Sequence, residues 1–180
     1  MNSFALFTDV SVDPRRRHGV GGYVLVPVSF LGLGPHGIEQ SALAARIKTM
    51  RFAETSSTKL EVQTVLWALE DLREELTGAA PGSLRMYTDS QCVAGLLGRR
   101  AGLTDSDFVA RRSGLPLAHA PLYRAFYAAH DRLGFQLTKV AGHARADTHD
   151  TIQRIFSQVD REVRKALTLW IREGVNPPQG

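Results

Sequence analysis

Hydrophobic and polar positions alternate along the first third of the chain and change to a helical spacing after Ser56. Residues 4–12, Phe-Ala-Leu-Phe-Thr-Asp-Val-Ser-Val, form an apolar run broken by Thr8-Asp9 and predict a strand. Asp13-Pro14, Arg15-Arg16-Arg17 and the glycines at 19, 21 and 22 make a turn region. Residues 23–28 predict a second strand, with Pro27 confined to an edge or a bulge because it cannot donate to a ladder. Leu31-Gly-Leu-Gly-Pro-His-Gly37 predicts a glycine-rich loop, and residues 44–53 a third strand closing an antiparallel meander.

Beyond Ser56, Val62, Val65, Leu69, Leu72 and Leu76 recur at intervals of three and four and predict a helix ending near Gly78. After Pro81-Gly82, residues 83–89 alternate again as a fourth strand, and Ser90 is placed to cap a short helix to about Leu97. Residues 98–120 are basic, contain glycine and predict irregular structure. Pro121 suits the first turn of a helix over 122–133. Residues 135–140 predict a fifth strand, and 150–170 a long helix with Ile152, Phe156, Val159, Val163, Ala166 and Trp170 on one side. Parallel strands need a crossover between them, so strands one, four and five can lie side by side while two and three form a hairpin beside them. The pattern predicts a mixed α/β sheet.

Composition narrows the class. A chain of 180 residues with 43% hydrophobic content supports one domain, assigned to 1–172, with a frayed tail at 173–180. One cysteine excludes an internal disulfide framework, no apolar run reaches membrane-spanning length, and the N-terminal apolar stretch lacks a basic leader. The expectation is a soluble protein of a reducing cytoplasm. A net charge of +4 is modest, but its arginines cluster at 15–17, 99–100 and 111–112, as either solvated loops or contacts to a polyanion.

The chemistry enters with the acids. Asp9 interrupts the first strand and Asp89 ends the fourth; on adjacent strands roughly 4.8 Å apart their side chains can meet. Two charges about 4 Å apart repel by roughly 4 kcal/mol at an effective dielectric near 20, so a cation or a proton must intervene. Glu61, in the first turn of the long helix, and Asp160, beside the apolar stripe of the last one, can complete an oxygen-only donor set suited to Mg²⁺ or Mn²⁺ rather than Zn²⁺. Each acid also has an ordinary reading. Glu61 can close a capping box with Thr58, Asp160 can pair with Arg164, and Asp89-Ser90 can cap the following helix.

Four blocks together resemble type 1 ribonuclease H. They are Leu6-Phe-Thr-Asp9 with Ser11 and Gly21-Gly-Tyr23; Lys59-Leu-Glu61 with Ala68-Leu-Glu-Asp-Leu72; Thr88-Asp-Ser-Gln91; and Val140-Ala-Gly-His143 with Val159-Asp-Arg-Glu-Val-Arg-Lys-Ala166. They span nearly the whole chain in the family's order. The resemblance implies a ribonuclease H-like five-stranded mixed sheet, three antiparallel strands then two parallel, flanked by helices. It further implies that Asp9, Glu61, Asp89 and Asp160 hold two Mg²⁺ ions for hydrolysis of the RNA strand of an RNA–DNA hybrid, leaving 5′-phosphate and 3′-hydroxyl ends. By the same resemblance His143 moves protons or assists product release. Ser90 and Gln91 match minor-groove contacts, and Ser11, Ser57 and Thr58 stand at further substrate-facing positions. Arg15, Arg16, Arg17, Arg99, Arg100, Arg111 and Arg112 would meet phosphates without sequence preference, the last four where the family often carries a basic protrusion.

The chain departs from the family pattern in places. Val10 stands where glycine usually follows the first aspartate, Ser57 and Thr58 replace an asparagine pair, and the basic stretch has no tryptophan. The interval from His143 to Asp160 is longer by about seven residues, roughly two helical turns, which preserves the face of Asp160. A later helix start would make Asp150 or Asp147 the fourth ligand. Two other functions stand beside this one: a nuclease of the same fold acting on structured RNA or DNA, which the replaced asparagine pair and the longer final segment favour, and a non-catalytic nucleic-acid-binding module, against which the full acidic set argues.

Overall fold

The computed structural model describes residues 3–141 and 150–175. Its sheet has the order β3-β2-β1-β4-β5, from β1 (Phe4–Asp13), β2 (His18–Pro27), β3 (Lys48–Phe52), β4 (Leu84–Thr88) and β5 (Gln136–Lys139). β2 runs antiparallel to β1 and β3, while β4 lies parallel to β1 and β5. The expected mixed sheet of three antiparallel and two parallel strands is therefore present.

Alternation along β1 divides the core into two layers. Leu6 points to the side covered by α2 (Ser57–Asp71) and α5 (Ala120–Leu133), where Val62, Val65, Leu69, Phe126 and Phe135 are buried with it. Ala5 and Phe7 point to the other side, against Ile155, Phe156, Val159, Val163 and Leu167 of α6 (Thr151–Val175). Burying both faces of the central strand explains its nearly continuous apolar text.

The glycines of β2 let these layers close. A Cβ on Gly21 would lie 2.0 Å from Thr64 Oγ1 of α2, and one on Gly22 would lie 2.4 Å from Val163 Cγ1 of α6. Both helices thus approach the sheet through positions without side chains.

Several boundaries differ from the sequence expectation. Residues Gln40–Ala44 form α1, because Leu43 is buried and Ile47, four residues on, is partly buried beneath α6; β3 starts only at Lys48. The loop at 31–37 is largely short 3₁₀ helix, Val28–Gly32 and Pro35–Gly37. α2 ends at Asp71, and turns carry Leu72 and Leu76 onward into the core. The stretch 98–120 is not irregular throughout: α3 (Gln91–Ala94) is followed by α4 (Leu96–Asp105), anchored by buried Leu96 and half-buried Leu103. Its Gly98 and Gly102 face open space, so they weaken the helix without disturbing packing. α6 runs on through Val175, beyond the helix end near Trp170 that the sequence predicts. Among the described residues, no helix is long and apolar enough to cross a membrane.

Candidate active site

The β1–β4 register pairs Phe7 with Tyr87, so two residues further on Asp9 stands level with Asp89. Period-two alternation puts both on the α6 side, directly above the Phe7 and Tyr87 rings, which stack at 4.7 Å. This aromatic pair is a dry floor beneath the acids. Asp9 is only 9% exposed, and its Oδ1 accepts a hydrogen bond from the Val10 amide at 2.8 Å.

Burial pushes the Asp9 carboxyl up to about 8, with the negative charge of Asp89 the next cause and the charge and hydrogen bonding of Asp160 adding to it. The cause is physical crowding: loss of water penalises the anion, and two neighbouring acids penalise it further. Asp160 thus reaches Asp9 from α6, the helix that Asp9 faces. It also accepts from Arg164 Nε at 2.7 Å, the i,i+4 pair open at the sequence level, so it serves both contacts. Val163, packed on Gly22, the β2 partner of Asp9, sets the depth at which α6 presents Asp160.

Glu61 comes from the other face of the sheet. Its Oε2 accepts a short hydrogen bond from Ser90 Oγ, and its Oε1 accepts from Ser57 Oγ at 3.4 Å. The capping-box alternative for Glu61 does not hold. Ser56 is the N-cap of α2, accepting from the Lys59 amide, so Glu61 falls too late in the helix to reach back to the cap. Ser90 does cap α3, accepting from the Val93 amide at 3.1 Å; at 5% exposed, its hydroxyl is directed at Glu61 rather than outward. Thr8, Asp9, Val10, Glu61, Thr88, Asp89 and Ser90 line one small recess at the strand ends.

Asp150 has a different task. It precedes α6, its Oδ1 accepts from the Gln153 amide at 2.8 Å, and its own amide donates to Gln153 Oε1 at 3.2 Å. This reciprocal cap starts the helix, and Asp160 is the acid beside Asp9. His143 and Asp147 lie outside the described residues.

The expected substrate contacts fall into three groups. Ser11 shares the Asp9 face of β1, while Ser57 and Thr58 are exposed at the start of α2. The hairpin tip after β1 is organised by Asp13, whose carboxylate accepts from the amides of Arg15 and Arg16 and pairs with the Arg16 guanidinium at 2.7 Å; these bonds hold its carboxyl below the usual range. Arg17 pairs with Glu54 at 3.1 Å, while the Arg15 side chain is exposed. On α4, Arg100 is engaged bidentately by Asp131 at 2.6 and 2.7 Å, and Arg99 donates to the Cys92 and Gly95 carbonyls. Arg111 and Arg112 are exposed on the turn between Val109 and Pro116, which bridge to each other. Gln91, at the start of α3, is exposed and meets Lys139, a residue that sequence reasoning missed. Only the β4–β5 register brings Lys139 here, and no local pattern marks it.

The donor set fits a hard divalent cation. It is oxygen-only, and Asp9 holds at neutral pH a proton that a cation between Asp9 and Asp89 would replace. Among the described residues, three such side chains are not gathered into one closed cluster; Glu61 is held by Ser90 and Asp160 by Arg164.

No family model matches the chain and no curated protein matches it in sequence. Similarity is found in three dimensions. The solution structure of the PFV RNase H domain superposes with a TM-score of 0.61 at 13% identity, over 91% of this chain and 92% of that one. A foamy viral protease-reverse transcriptase in complex with dsDNA gives 0.56 at 14% identity, over 90% of this chain and 95% of that one. The same kind of protein in complex with RNA/DNA hybrid gives 0.52 at 13% identity, over 79% of this chain and 17% of the other. The fold is ribonuclease H-like.

Proposed function

We propose that the chain is a Mg²⁺-dependent nuclease that hydrolyses the RNA strand of RNA–DNA hybrids, leaving 5′-phosphate and 3′-hydroxyl ends. The observation that carries this reading is Asp9, buried on an aromatic floor and crowded by Asp89 and Asp160 at the strand ends of a ribonuclease H-like sheet. A structural acid would gain nothing from such crowding, whereas a ligand to a divalent cation needs it. Asp9, Glu61, Asp89 and Asp160 would hold two Mg²⁺ ions, with Mn²⁺ the alternative. When bound, such ions supply an activated water and neutralise the charge that develops on the phosphate and the leaving 3′ oxygen.

The chain's own residues do the rest. Ser90 hydrogen-bonds Glu61 and so holds that carboxylate at the recess before ligation. Arg164 offsets part of the negative charge on Asp160. Exposed Gln91 would meet the minor groove, and Arg15, Arg99, Arg111 and Arg112 would meet phosphates. His143 would move protons near neutral pH. Neighbours of the same fold bound to dsDNA and to RNA/DNA hybrid support a nucleic-acid partner. The single cysteine suits a cytoplasmic location.

A second reading, a nuclease of this fold for structured RNA or DNA, is favoured by Ser57 and Thr58, exposed at the start of α2 where the family carries asparagines. One experiment separates the readings. End-labelled hybrid, double-stranded RNA, single-stranded RNA and DNA are incubated with Mg²⁺ or chelator, using the protein and its Asp9→Asn and Asp89→Asn variants. Cleavage confined to hybrid and lost in both variants is expected. Cleavage of another polymer favours the second reading, and binding without cleavage defeats both.

A further inference from the structure

β5 ends at Lys139, whose β4 partner in register is Thr88, the residue before Asp89. Its ammonium donates to Oε1 of Gln91 at 2.5 Å. Both side chains are exposed, and among the described residues Lys139 makes no ion pair. Its charge is therefore directed at a neutral amide, two residues past a candidate metal ligand.

An amide side chain has an acceptor end and a donor end, whereas an ammonium only donates. Lys139 thus decides which way Gln91 faces: the oxygen is tied to the lysine, and the NH₂ group turns away with its donors available. The backbone beneath is anchored as well, because Ser90 caps α3 and is hydrogen-bonded to Glu61. A duplex minor groove offers acceptors of the kind this donor needs, purine N3, pyrimidine O2 and the oxygen of a 2′-hydroxyl.

We propose that Lys139 is a positioning residue that holds the Gln91 amide with its nitrogen turned outward, as a donor to a minor-groove acceptor of the bound duplex. The inference rests on the nuclease reading above. A lysine that instead touched phosphate directly would act independently of Gln91 and would contribute to the salt dependence of binding.

The test is a double-mutant cycle on hybrid cleavage with Lys139→Met, which keeps the apolar stem without the donor, Gln91→Ala, and the two combined. Lys139→Met is expected to raise KM about threefold to tenfold, the scale of one lost hydrogen bond, with the loss falling on KM rather than kcat. The double variant should then match Gln91→Ala alone, Lys139→Arg should restore most of the loss, and the slope of log KM against log salt should stay unchanged. Additive effects with a slope reduced by about one would overturn the inference in favour of direct phosphate contact. An unchanged KM in Lys139→Met would overturn it too. Failure of the unaltered protein to cleave hybrid is a separate result that removes the nuclease reading and this inference together.

Discussion

Asp9 concentrates the energetics of the site in one carboxyl. Its folded-state value of about 8 lies far above the ordinary aspartate value near 3.9, so between those limits the folded protein retains a proton that the unfolded chain has released. Stability from this group is fully present below about pH 4, falls as pH rises, and levels off above about pH 8, a penalty on the order of several kcal/mol. Asp9→Asn cannot ionise and so escapes that penalty. Without divalent metal, the variant should melt higher than the parent protein at pH 9 and by no more than a small margin at pH 4, read by thermal denaturation across pH. A stability gain independent of pH would refute the assignment. The same variant should lose at least 100-fold in cleavage, on the scale of removing a principal electrostatic group. The crowding was partly legible in the text, since an acid within an apolar strand demands a partner and Asp160 was among the candidates; that Asp160 rather than Asp150 stands beside Asp9 was not.

At the scale of elements, the site depends on α6 lying close to β2. Gly22 permits this, because any Cβ there meets Val163 one turn beyond Asp160. Gly22→Ala should destabilise the fold by about 1–3 kcal/mol through overpacking and lower cleavage by lifting Asp160 from Asp9. Denaturant titration and a kinetic assay read the two effects; full activity in a folded variant would show that the depth of α6 does not matter. Asp150 offers the opposite case, an acid on the same helix whose bonds to Gln153 make it a cap. Asp150→Ala should cost about 1 kcal/mol of stability and leave cleavage near its parent value, whereas Asp160→Asn should impair cleavage. The helical stripe over 150–170 was readable from periodicity alone, but Ile155 and Leu167 also enter the core because the helix meets a broad sheet rather than a single neighbour. Likewise, α1 fell just ahead of the strand expected at 44–53, where no element was predicted: a single turn carries too few residues for its period to show.

For the whole molecule, the acids make folding and cation binding one equilibrium. Any ion that binds the folded chain and not the unfolded one stabilises it by RT ln(1 + [L]/Kd), which reaches about 2.7 kcal/mol at a hundredfold excess over Kd. Melting temperature should therefore rise with Mg²⁺ concentration, more steeply at pH 8 than at pH 6, where Asp9 is protonated and the ion must displace that proton. The rise should be much reduced in Asp9→Asn. A melting temperature indifferent to Mg²⁺ would count against the metal assignment.

The sequence by itself determined the five strands, the long helices that cover them, and the presence of a carboxylate, Asp9, inside an apolar strand, because period and polarity are local properties of the text. Tertiary structure decided which acids meet. Asp160 rather than Asp150 joins Asp9, Glu61 answers to Ser90 rather than to its own helix cap, and Lys139 arrives beside Gln91. Each of these follows from strand register and helix depth, which are set by long-range packing and leave no periodic trace in the residues themselves.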